Sequence, residues 1–211
     1  MLLTFNAQFM KRFRLLFIIS LLITINAYPQ LNKKIWLVGG TGSFQMHSED
    51  YIPPPPGEVI TYNTKKIEAS ANVGYFVTDK LVFGVSPTYS YGDRESGTYD
   101  IQKSKGFSIG PFGRYYFLNK YKLFNILTEV KYQVGILNRG QNPTRKSTTS
   151  NFSFLIGPEI FINPSVGIEV LLGYMAIKEA RESSASIDTY TYKGFRVAVG
   201  LQIHLENFNK K

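Results

Sequence analysis

The sequence predicts an all-β protein, an eight-stranded antiparallel up-and-down transmembrane barrel with short periplasmic turns and longer external loops. Three observations predict it. From residue 67 onward, apolar and polar residues alternate repeatedly with a period of two, the pattern of strands whose two faces meet different surroundings. The apolar face of these segments carries no charge at all, which suits contact with hydrocarbon. The connections between segments are long and short in alternation, as they are when successive links fall at opposite ends of a barrel.

Composition narrows the class further. The 211 residues include no Cys and only two His, and the formal charge is +9, so disulfide scaffolds and thiolate metal sites are excluded. With 44% hydrophobic and 18% charged residues, the chain is far from a disordered composition. Its 14 Tyr, 16 Phe and 18 Gly favour strands, because aromatic rings fit a pleated surface and Gly weakens a helix.

The amino end reads as an export signal. Lys11, Arg12 and Arg14 precede a largely apolar stretch, 15–25, in which Ser20 and Thr24 are the polar residues, followed by Asn26 and the small residue Ala27. That is a basic region, a hydrophobic region and a cleavage site. The stretch is about half of the roughly 20 residues a spanning helix needs. Met10, directly before the basic cluster, is an alternative start. Residues 1–27 are therefore expected to be a signal peptide, 28–33 a short lead, 34–206 the barrel and 207–211 a tail. Removing 1–27 leaves a charge of +6, and nothing in it is clustered enough for nucleic acid.

Seven alternating segments are clear: 67–77, 81–91, 107–117, 124–136, 152–162, 166–174 and 195–205. An eighth, 35–46, is Gly-rich, with Trp36, Val38, Phe44 and Met46 on one parity. The links run about 20, 3, 12, 5, 13, 3 and 15 residues in chain order, so tight turns gather at one end and long loops at the other. An even strand number puts both termini in the periplasm.

The content of each face decides which one looks outward. The apolar positions are too many and too bulky to fill an eight-stranded interior. They are therefore expected to meet lipid, with the polar set inside. Tyr89, Tyr91, Phe107, Phe152, Tyr174 and Phe195 then form a girdle at the long-loop end, and Tyr75, Tyr115, Phe117 and Phe124 one at the short-turn end. Pro87, Pro111 and Pro158 each remove a ladder donor in mid-strand, and β-bulges are the expected accommodation.

These segments also carry a resemblance. GYFVTDKLVFGVS (74–86) resembles the strand, turn and strand core of the small outer-membrane beta-barrel domain family of OmpA-like and OmpX-like barrels, and IGPFGRYYF (109–117) and GIEVLLGY (167–174) resemble its later strands. The resemblance implies an eight-stranded barrel in the cell outer membrane, surrounded by lipid and lipopolysaccharide and inserted by the barrel-assembly machinery; it implies no one activity. Where the family usually ends on an in-phase aromatic, the in-phase series here stops at Leu205, with Phe208 out of phase.

The inner face concentrates the charge. Counting across the turn at Pro164 sets Glu159 opposite Glu169, so one carboxyl must stay protonated or a cation must sit between them. Arg114, Lys131 and Arg196 face the acids Glu68, Glu129, Glu159 and Glu169, which predicts a nearly neutral internal ion network with Arg as the clamp. Such a network is expected to act as a structural plug, since eight strands leave no aqueous channel.

Outside the network, Lys65, Lys66, Arg139, Arg145 and Lys146 are candidate contacts for lipopolysaccharide phosphates. Pro53–Pro56 predicts a stiff spacer in the first loop. His47, with Ser48, Glu49 and Asp50, is the candidate site of a lipid A-modifying enzyme, although neighbouring strand residues point to opposite faces. His204 is expected to be a hydrogen-bonded interior histidine. No His pair has metal-ligand spacing and the GxG at 40–42 opens no helix, so neither a metal nor a cofactor is expected. The expected function is a non-enzymatic envelope barrel with a structural or surface-interaction role. A lipid A-modifying enzyme and a soluble lipocalin-like binder are the alternatives.

Overall fold

The computed structural model describes residue 31 and residues 33–51, 60–96, 99–118, 122–140, 146–182 and 187–205. The expected signal peptide, the C-terminal tail, Pro53–Pro56 and Arg145 lie outside the described residues. Eight strands follow one another: β1 (Trp36–Tyr51), β2 (Ile60–Phe76), β3 (Leu81–Ser96), β4 (Tyr99–Tyr116), β5 (Phe124–Arg139), β6 (Lys146–Asn163), β7 (Val166–Glu182) and β8 (Ile187–Leu205). Each pairs antiparallel with its chain neighbour, and β1 closes the barrel on β8 from Trp36↔Leu205 to Gln45↔Arg196.

The strands are longer than the alternation marks. β4 has 18 residues, and at about 3.4 Å per residue and a tilt near 40° such a strand rises roughly 45 Å, against an apolar band of roughly 25 Å. Most of each segment expected to be a long loop is in fact ladder. β3 and β4 stay paired to Ser96↔Tyr99, and β7 and β8 to Glu182↔Ile187. A polar collar of paired strand therefore stands above the band. At the other end the turns are closed by their own side chains. The Thr78 hydroxyl accepts from the amides of Lys80 and Leu81, and the Asn163 side-chain oxygen accepts from Ser165 and Val166, both local mimics of backbone turns.

The prolines are accommodated without the expected bulges. Between β2 and β3 the pairing passes from Ser70↔Thr88 to Val73↔Val85, skipping two pairs at Pro87 with no change of register. The same gap occurs at Pro111 between β4 and β5, and at Pro158 between β6 and β7. On their other sides the prolines pair normally, as Pro87↔Ile109, Val85↔Pro111 and Ile126↔Pro158. One absent donor opens one ladder locally, and the pairs on both sides of each gap keep the same register. The irregularities fall elsewhere, between Arg94 and Ser96 and between Phe161 and Asn163. Gly157, next to Pro158, has the β7 backbone so close that a Cβ would collide with the Val170 carbonyl.

The apolar parity faces out. Ile67, Phe83, Ile136, Leu172 and Val199 are each more than half exposed, whereas the positions between them are buried. Val166 departs from expectation: it is buried, because it is the first residue after the turn and beside the irregular step at Asn163. Aromatic residues pair across strands in both girdles, Tyr89↔Phe107 and Tyr174↔Phe195 at one end and Trp36↔Tyr75 at the other. Trp36 and Tyr75 meet edge to face at 5.2 Å. An outward band of this kind is stable against hydrocarbon and costly against water, the reverse of a soluble binder with a greasy interior.

Candidate functional site: the barrel interior

Inward-facing residues from successive strands stack in layers. At the short-turn end the layer is apolar, with Leu37, Phe76, Val82, Tyr116, Leu127 and Phe161 in one buried cluster. This layer was not expected, since the inner face read as polar. Its signature is apolar residues on both parities near the short turns, as in Tyr75–Phe76 and Tyr115–Tyr116–Phe117. His204 sits against it, its ring 5.2 to 6.2 Å from Phe161, Phe76 and Tyr116.

Above lies the ion network. The Arg114 Nε donates to Glu129 Oε2 at 2.7 Å. Its two terminal nitrogens fork onto Glu169, Nη1 to Oε2 at 2.8 Å and Nη2 to Oε1 at 3.1 Å. This is the bidentate geometry that a guanidinium offers a carboxylate. Lys131 completes Glu129 at 3.3 Å. Thr41 and the Gln202 amide donate to Glu169 Oε1 at 3.2 and 2.9 Å. Polar contacts continue round the wall, from Asn72 to Thr41, Ser86 to Asn72, and Gln133 to Ser86 and Thr88. The Phe112 ring lies 5.4 Å from the Arg114 guanidinium.

Glu159 and Glu169 do face each other in the register, but no Arg sits between them. Each leans away over a glycine. A Cβ on Gly167 would collide with the Glu159 carboxylate, and one on Gly200 would come within 2.5 Å of Glu169 Oε1. Glu159 thus turns toward the short-turn end, where His204 Nε2 lies 2.9 Å from its Oε1. Glu169 turns across to β8 and Arg114. Side-chain room, not strand register, decides the pairing.

Higher still, Glu68 is bridged by Lys66 at 2.8 Å and Arg196 at 2.6 Å. Arg139 pairs with the buried carboxylate of Glu179, which also accepts from Ser147 Oγ at 2.8 Å. Lys66 and Arg139 are therefore inward members of the network and not external anion contacts. Parity carried the signal: both share the inner phase of Glu68 and Gln133. Glu179, ten residues from Glu169 on the same phase, is a further buried acid of this inner wall. Lys65 and Lys146 are exposed on the outer face. Around the upper pairs the barrel mouth opens as a recess lined by Lys66, Asn151, Arg139, Glu179 and Tyr192 among others. His47 pairs with Thr64 and Ser48 with Asn63 in β1 and β2; the side chains of 47–50 lie outside the described residues. Among those residues no cluster of His, Asp and Glu forms a metal site.

No protein-family model matches the chain, and neither does any curated protein. Among solved structures, the outer membrane protein OprG from Pseudomonas aeruginosa is similar at a TM-score of 0.56 and 10% identity, covering 84% of this chain and 99% of that one. Neisserial surface protein A matches at a TM-score of 0.47, 13% identity and 80% and 96% coverage. The outer membrane enzyme PagL matches at 0.39, 14% identity and 79% and 98% coverage. With an inverted interior, girdles at both rims and the OprG likeness together, the chain has the fold of the small eight-stranded outer-membrane barrels.

Proposed function

We propose that this protein resides in the outer membrane as a closed barrel, with a structural or surface-interaction role and no transport through its interior. The observation that carries the reading is that buried ion pairs join strand to strand across the interior. Arg114 on β4 joins Glu129 on β5 to Glu169 on β7, and Arg196 on β8 joins Glu68 on β2. An eight-stranded barrel has room inside for side chains and little else, and the apolar layer beneath the network adds a second barrier to ions.

Purified wild-type protein in planar bilayers is expected to show no conductance above background. Arg114→Ala, which empties the largest side chain of the network, is expected to raise it. Steady, large channels from the wild type would contradict a closed interior.

A further inference from the structure

Directly above the upper aromatic girdle the outward positions change character. Lys65 follows Ile67, Lys105 and Lys103 follow Phe107, and Lys193 follows Phe195, each stepping by two along its strand away from the band; Lys178 and Lys146 stand higher on β7 and β6. All six are exposed and share the outward parity of the apolar band below them. Among the residues whose side chains are described, Asp93 is the one acid on this outer face, and the register sets it between Lys65 and Lys103; the outward parity also carries Asp50, Glu95 and Glu182 nearer the strand ends. The acids at the same height, Glu68 and Glu179, are buried inside and bound to Lys66, Arg196 and Arg139. The fold thus holds paired ions inside and presents more lysines than acids outside.

We infer that this lysine collar binds the phosphate groups of the lipid headgroups that surround it, the outer leaflet's phosphorylated glycolipid being the partner. The placement argues for a lipid and not a soluble ligand. The lysines ring the barrel on β2, β4, β6, β7 and β8 and converge on no pocket. Lys105 and Lys193 stand one outward residue above Phe107 and Phe195, rings at the hydrocarbon boundary, which is where headgroup phosphates lie. An ammonium on a flexible stem makes a point contact with phosphate from any of several rotamers. The inference rests on the outer-membrane reading and adds a partner to it.

The test uses the full chain folded into vesicles of neutral phosphatidylcholine, with or without lipid A, followed by the temperature at which the folded gel form is lost. With lipid A at low salt the wild-type midpoint is expected to rise by about 5 °C or more. That rise should collapse in roughly 1 M salt, where the screening length falls to about 3 Å. A variant carrying Lys65→Gln, Lys103→Gln, Lys105→Gln and Lys178→Gln should match the wild type in neutral vesicles and lose most of the rise. Lys146→Gln with Lys193→Gln, on the other strands, should lose a smaller part. An undiminished rise in both variants, or an equal rise from inorganic phosphate added to neutral vesicles, would overturn the collar. Failure of the wild type to insert into either vesicle would overturn the barrel reading instead.

Discussion

Arg114→Ala is expected to destabilise the folded barrel by about 3–5 kcal/mol, the usual cost of removing one partner from a buried ion pair. Arg114 is 1% exposed, and Glu129 and Glu169 are 1% and 0% exposed, so water cannot replace the lost donors without entering the interior. Glu129 would keep Lys131, and Glu169 would keep Thr41 and Gln202, which limits the loss to this range. The measurement is the urea concentration at which the heat-modifiable folded form disappears from gels. Arg114→Met and Lys131→Met combined with Glu129→Gln and Glu169→Gln remove the four charges together and should recover most of the stability, because the penalty comes from stranded buried charge. A single variant as stable as the wild type would mean that Arg114 does not hold these acids.

Val199→Arg is expected to cost about 2–4 kcal/mol in bilayers, the penalty for a cation near the midplane of a lipid-facing strand. Val199 lies in the middle of the outward series on β8, is 53% exposed, and has Val170 and Gly42 as register neighbours, so no carboxylate is at hand to pair with the new guanidinium. Thr191→Arg, on the same strand and face but up in the collar, should change stability by no more than about 0.5 kcal/mol. Equal, negligible effects at both positions would show that the outer face meets water along its whole height.

The barrel was legible because a spanning strand must alternate wherever one face meets lipid and the other meets packed polar groups. The strand ends were not, because above the band both faces are polar. Asn63, Thr64, Lys65 and Lys66 read as loop, yet all four are paired in the β1–β2 ladder. The hydrogen bonds of a ladder do not depend on side-chain polarity, so the pattern vanished while the structure continued. Inside, parity located Glu68, Arg114, Glu129, Lys131, Glu159, Glu169 and Arg196 on the inner wall. It did not reveal that Glu159 would take His204 and leave Arg114 to Glu129 and Glu169. That choice depends on which way each side chain leans over Gly167 or Gly200, a matter of three-dimensional room with no one-dimensional signature. The apolar floor around Phe76, Tyr116 and Phe161 was written in the sequence as apolar doublets, but a strict two-face template passes over them.

Trp36 is the single tryptophan of the chain, and it points outward in the short-turn girdle at 47% exposure. Its fluorescence in vesicles therefore reports directly on what touches the apolar face. Lipids brominated on the acyl chain near the headgroup should quench it strongly, while iodide in the surrounding buffer should scarcely affect it. Quenching by iodide with no response to the brominated lipid would place this face in water and contradict the account.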